Sequence, residues 1–224
     1  MTLFTKIKQR VLESNNQPLI VTAGLFAFTA LYYTRNLLLQ LISFLFLISV
    51  AFLWSHSLKR LGGFNWGTFK LVKTHMWRDM IIAVALAAFG WFYYGLYIKL
   101  TRGHWIPFGF GGSYSAILVI IAVSAAEEVF FRGYLQNHLG DRYSRITRIL
   151  IAVVALALFK NVVHLWEGMS PGLHLELFLL GVLHNILPSL WLEWSGNLVG
   201  PLVMHVVWDL FVYAPMSDIP YWVI

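Results

Sequence analysis

The sequence predicts an all-α polytopic membrane helix bundle of about seven transmembrane helices, and three observations predict it. Hydrophobic residues fill 59% of the 224 positions and charged residues only 12%, with mean hydropathy +0.70. A soluble domain carries about 25% charged residues, so this chain has too little charge to coat a water-facing surface. The apolar runs are long and continuous, unlike the alternating strands of about ten residues that build a transmembrane β-barrel. Of the 16 basic residues, 14 avoid these runs and gather chiefly on alternate connections. The net charge of +6 and pI of about 9.6 therefore belong to loops facing anionic lipid, and no nucleic-acid partner is expected.

A bilayer core of about 30 Å needs roughly 20 apolar residues per helix. The first candidate run, about 18–34, follows a basic stretch with Lys6, Lys8 and Arg10. Seventeen residues, including Glu13, Ser14 and Asn15, precede it and no small-x-small cleavage site follows, so it reads as a retained helix. Arg35-Asn36 turns the chain into a second run at about 37–55. Residues 59–78 interleave basic side chains with Phe64, Trp66, Phe69 and Trp77, as an interfacial segment or a plain loop would. Further runs follow at about 79–98, 114–137, 149–166, 173–192 and 197–214. They are separated by Gly109 to Gly112, Gly140-Asp141, Ser170-Pro171-Gly172 and Ser195-Gly196-Asn197. Pro188 should kink the sixth run, whereas Pro201 falls in the first turn of the seventh, where a missing N–H costs little.

With the N-terminus in the cytoplasm, the inner connections hold Lys6, Lys8, Arg10, Lys59, Arg60, Lys70, Lys73, Arg78, Arg142, Arg145 and Arg148. The outer ones hold only Arg35, Lys99 and Arg102. This asymmetry predicts an integral membrane protein with its N-terminus cytoplasmic and its C-terminus outside. There are no cysteines, which removes disulfides, thiol nucleophiles and cysteine metal sites.

The informative ionisable residues lie inside the runs, where each charge costs about 2.5–3.5 kcal/mol. The fourth run holds Glu127, Glu128 and Arg132, and the fifth Lys160, Asn161 and His164. The sixth holds Glu176, His184 and Asn185, and the seventh His205 and Asp209. Such residues in four consecutive helices predict a polar centre with the active site in the core of the last four. On an α-helix Glu128 and Arg132 face each other, acid before base, which is the favourable order. Glu127 points about 100° away and lacks a partner on its own helix, and a carboxylate in a poorly solvated cleft suits a general acid or base. The plain alternative is a buried ion cluster that only ties helices together. His205 and Asp209 share a face, so the acid can orient the ring. HExxH, GxSG and a paired GxGD are absent, which argues against zincin-type, rhomboid-type and presenilin-type chemistry. Gly109 to Gly112 follows no strand and does not read as a phosphate loop.

Three elements in this order resemble a known family. Glu127 to Leu135 reads EExxxR into Phe-Arg-Gly-Tyr-Leu, a helix-borne His164 follows, and Gly196 to Asp209 reads Gly-Asn-Leu-x-x-Pro-x-x-x-His-x-x-x-Asp. This is similar to the CPBP family, the CAAX-processing and bacteriocin-processing (Abi) glutamic intramembrane proteases, over about residues 114–213. The second element departs from the family's FxxxH, because Lys160 stands at the expected Phe and Phe159 lies one residue earlier. The resemblance implies a division into N-terminal membrane helices with a cytoplasmic or interfacial loop (1–113), a catalytic helical core (114–214) and a C-terminal tail (215–224). It implies hydrolysis of a peptide bond near the membrane surface, with Glu127 and His164 activating water. Glu128 and Arg132 would support that acid, while His205 and Asp209 would stabilise the oxyanion. No cofactor is expected on this reading. Family members have also been described as metalloproteases, and then zinc would sit on Glu127, His164 and His205. The implied partner is a membrane-associated peptide or protein, such as a C-terminal sorting signal or a leader peptide. The setting is the bilayer of a bacterial inner membrane. A proton-coupled carrier, or a non-catalytic immunity or scaffold protein, would use the same buried acids differently.

Overall fold

Each predicted apolar run is a helix in the computed structural model, which describes residues 3–14, 16–34, 36–63, 67, 69–105, 114–139, 142–166 and 168–215. In chain order the helices are α1 (Leu3–Glu13), α2 (Gln17–Tyr32), α3 (Leu37–Arg60), α4 (Met76–Arg102), α5 (Tyr114–Glu127), a π-helix (Glu128–Gln136), α6 (Arg145–Val162), a 3-10 turn (Val163–Trp166), α7 (Pro171–Ser195) and α8 (Val199–Tyr213). No strand occurs among the described residues. Three helices, α3, α4 and α7, are long and apolar enough to cross a membrane, and α2 and α8 are shorter apolar helices. The chain is thus an all-α, polytopic integral membrane protein. Arg35, Phe64, Trp66, Gly109 to Gly112, Gly140-Asp141 and residues 216–224 of the tail lie outside the described residues.

The helices form two compact units, each made of two stretches of chain. One comprises Met1–Phe69 and Gly133–Ile186, the other Lys70–Arg132 and Leu187–Ile224. In the first, α2 packs on α3, and an added Cβ at Gly24 would stand 2.6 Å from Val50 Cγ2. Only a glycine admits that approach. Asn36 caps α3 by accepting from the Leu39 backbone N–H at 3.2 Å. The basic N-terminal stretch is a short helix, α1, where the sequence suggested only a positively charged lead-in. Between α3 and α4 the described residues are turns and irregular chain, with Phe69 fully buried and Trp77 exposed on α4. Asn161 and Asn185 bond back to the carbonyls of Ala157 and Gly181, at 3.1 and 2.7 Å. Part of the expected intramembrane polarity is thus satisfied on its own helix.

In the second unit, α8 packs against α4 and α5. Ala83, Ala87 and Gly90 form a small-residue stripe on α4 that lets α8 approach closely. Ala83 and Ala87 are fully buried in a core with Trp191 and Met204. A Cβ at Gly90 would lie 2.8 Å from the Trp208 ring, and one at Gly200 would lie 2.8 Å from the buried Trp191 ring. Trp191 is enclosed and cannot swing aside. Gly200→Ala should therefore cost about 1–3 kcal/mol by overpacking, visible as a lower unfolding midpoint in detergent; an unchanged midpoint would contradict this packing.

The turn into α8 explains the Gly-Asn-Leu sequence. Gly196 takes φ +64°, a conformation natural to glycine. Asn197 Oδ1 accepts from Val199 N at 3.0 Å, and its Nδ2 donates to Asp79 Oδ2 at 3.0 Å and to Thr74 O at 3.4 Å. Leu198 N donates to Lys70 O at 2.7 Å. Lys70 and His75 both sit at positive φ, which is costly for side-chain-bearing residues, and these bonds hold the segment that contains them. Asp79 is buried and also accepts from Arg78. The start of α8, and with it the register of His205 and Asp209, is fixed by this polar joint.

Candidate active site

The end of α5 places Glu127 on an ordinary α-helical turn, and Glu128 opens the nine-residue π-helix. Such i→i+5 segments are rare and are often found at functional sites. Glu128 and Arg132 are both buried, and Arg132 Nη1 bonds Glu128 Oε1. The predicted pairing of these two residues therefore exists, within a helix of different pitch. Arg132 Nε reaches Ser189 Oγ at 3.3 Å.

His205, fully buried on α8, lies between three carboxylates. Its Nδ1 is 2.6 Å from Glu128 Oε1. Its Nε2 is 3.2 Å from Asp209 Oδ2 and 3.5 Å from Glu127 Oε2. Asp209 Oδ2 also accepts the Ser124 hydroxyl at 2.7 Å. Glu127 keeps the most exposed side chain of the acids around His205, at 11% against 0% for Glu128 and 6% for Asp209. A ring with a carboxylate oxygen at each nitrogen can donate on both sides only when it carries two protons. With one proton on the ring, the second contact needs a protonated carboxyl. The cluster thus holds and moves protons among fixed oxygens and nitrogens, as acid–base chemistry requires. The bare charges would be costly in such a site without their partners.

Five of the six expected site residues, Glu127, Glu128, Arg132, His205 and Asp209, converge in the second unit. The sixth, His164, is buried in the 3-10 turn Val163–Trp166 of the first unit. Residues 109–211 match the family described as Rce1-like, type II CAAX prenyl endopeptidase Rce1-like. This part of the chain is similar to that family. The match bears out the CAAX-protease resemblance drawn from the motifs, and it covers all six residues. It supports an intramembrane CAAX-type endopeptidase acting on membrane-associated protein substrates. No curated protein and no solved structure matches the chain.

Glu127, His205 and Asp209 also offer one ligand atom each within 4.8 Å of one another. This N/O donor set, with Glu128 on the far ring nitrogen of His205, has the make-up of a metal site whose histidine is oriented by a carboxylate. It differs from the set Glu127, His164, His205 expected from the resemblance by bringing Asp209 to the two shared residues.

Ser124 and Ser189 were not singled out by the sequence. Each lies one helix away from its partner, and a serine in an apolar helix gives no signal by itself. Ser124→Ala leaves Asp209 without that donor and should lower turnover several-fold, with Thr restoring much of it. Equal loss in Ala and Thr variants would contradict a role for the hydroxyl.

Proposed function

We propose that the protein hydrolyses a peptide bond near the membrane surface, in the tail or leader of a membrane-associated peptide or protein. The observation that carries this is the buried His205 set between Glu128 on one nitrogen and Glu127 and Asp209 on the other, within the Rce1-like segment. Glu127 is the general base. It has the most exposed of the acid side chains, and its Oε2 lies 3.5 Å from His205 Nε2, so a water held by Glu127 comes within reach of the ring. Arg132 holds Glu128, and Glu128 holds the ring of His205. The Nε2–H side of the ring, steadied by Asp209, donates to the developing oxyanion, and Glu127 passes the proton it took from the water to the leaving amine. A preorganised donor of this kind is worth about 3–4 kcal/mol. We place the protein in a bacterial inner membrane, N-terminus inside.

A second reading has its own observation in the three convergent ligand atoms. Glu127, His205 and Asp209 would hold a zinc ion, which supplies a Lewis acid and an activated water when bound. Glu128 would then fix the ligating ring of His205 through Nδ1, and Glu127 and His205 Nε2, as ligands, would give up the base and donor roles of the first reading.

The test is cleavage by the purified protein in nanodiscs. Prenylated CAAX peptides, leader peptides and C-terminal sorting peptides are each presented with and without a chelator, alongside metal analysis. Cleavage a few residues from the membrane anchor that survives the chelator supports the glutamic mechanism. Loss on chelation with rescue by zinc supports the metal. Absence of cleavage in the whole panel contradicts a protease.

A further inference from the structure

The first unit carries a pocket of about 140 Å³ that none of the residues above explains. α2 and α3 are consecutive and packed together, and only a short connection at 33–36 joins them. They run antiparallel, so the start of α2 and the end of α3 come to the same membrane face. Ser14 and Gln17 bring one side of the pocket, Ser57 and Arg60 the next, and His138 and Arg142 the last.

These side chains are held in place. Arg142 Nη1 donates to Asn16 Oδ1 at 2.7 Å. Gln17, buried, donates to the carbonyls of Val11 and Leu12 at the corner between α1 and α2. Ser57 Oγ accepts from the Tyr134 hydroxyl at 2.8 Å, which leaves its own proton to donate. His138 Nδ1 is 2.7 Å from Tyr134 O, so that nitrogen is the N–H donor. Among the described residues the lining holds two guanidiniums and two hydroxyls, and no carboxylate.

Guanidinium pairs with hydroxyl donors suit a tetrahedral oxyanion. A water occupies about 30 Å³ of liquid, so the pocket has room for a group of about five heavy atoms. The size matches a phosphate, with any acyl chains left outside. The site also stands at the end of α3, a helix long and apolar enough to cross a membrane, whose last turn carries Lys59 and Arg60, charges suited to anionic headgroups. We propose that this pocket binds a phosphate group, and that an anionic phospholipid headgroup is its source. This site is independent of the proteolytic chemistry proposed above.

The full chain, delipidated and returned to phosphatidylcholine nanodiscs, is titrated with phosphatidylglycerol. Retained lipid is read by native mass spectrometry. In parallel, inorganic phosphate is titrated in a thermal-shift assay. Phosphatidylglycerol should be retained in preference to phosphatidylcholine. Arg60→Gln and Arg142→Gln should each weaken that retention about tenfold. Lys59→Gln removes the same charge from the neighbouring, exposed position outside this pocket, and should change it less than about twofold. Both arginines are exposed residues, so unliganded unfolding midpoints of the variants should match the parent and exclude misfolding as the cause. Equal weakening by Lys59→Gln would reduce the effect to diffuse surface attraction and overturn the site. Stabilisation by inorganic phosphate without retained lipid would overturn the lipid as its source.

Discussion

Glu127→Gln should lower cleavage by about 10²–10⁴-fold, the usual contribution of a positioned general base, while the protein folds and elutes as the parent does. The amide keeps the shape and size of the carboxylate but accepts no proton. It also removes one of the three acids around His205, so no buried charge is left stranded and stability should not fall. The comparison of interest is His205→Gln, which removes the ring touching all three carboxylates. Its activity loss should be as large, but it leaves three acids without their shared partner and should also lower the unfolding midpoint. Rates are read by product mass spectrometry at saturating peptide, and stability by denaturant titration in detergent. A protein that only scaffolds, or a carrier that moves protons through the same acids, predicts no peptide turnover to lose.

Arg132→Ala should destabilise the protein by about 3–5 kcal/mol, because it takes the guanidinium from a fully buried Glu128 and leaves it only the His205 ring. Arg132 is 1% exposed and Glu128 0%, so water cannot take over the missing contact. Replacing both partners with apolar residues of similar size, Glu128→Leu with Arg132→Met, should recover much of that loss, since neither charge is then stranded. The double variant should nonetheless stay inactive, because Glu128 Oε1 also holds His205 Nδ1. Stability and turnover are thereby separated. If the double variant regained activity along with stability, the ion pair would be a structural tie and Glu128 would have no part in orienting the ring.

The helical segments were legible because burial in lipid demands a run of apolar residues long enough to span it, and that demand is written locally. The Glu128–Arg132 pairing was legible for the same reason, since four residues separate the partners. The π-helix was not legible. Hydrophobic periodicity through Glu128–Gln136 carries no mark of an i→i+5 ladder, and the change of pitch arises where Glu128 and Arg132 meet partners from elsewhere. Those partners come from far along the chain, with Ser124 reaching Asp209 and Ser189 reaching Arg132, and no local pattern encodes such contacts. His205 shows the same limit. The sequence offered its i,i+4 relation to Asp209, whereas its closest carboxylate oxygen is that of Glu128, on another helix. Asn197 stood in a motif without a role; its bond to Asp79 shows that it sets the start of α8.

The central claim is that this chain breaks peptide bonds with a water activated at Glu127. It is tested most directly by incubating the purified protein with a membrane-anchored peptide in ¹⁸O water and weighing both fragments. The account predicts one ¹⁸O atom in the new carboxyl terminus of the amino-terminal fragment, and no product from Glu127→Gln. Equal labelled product from that variant would contradict it.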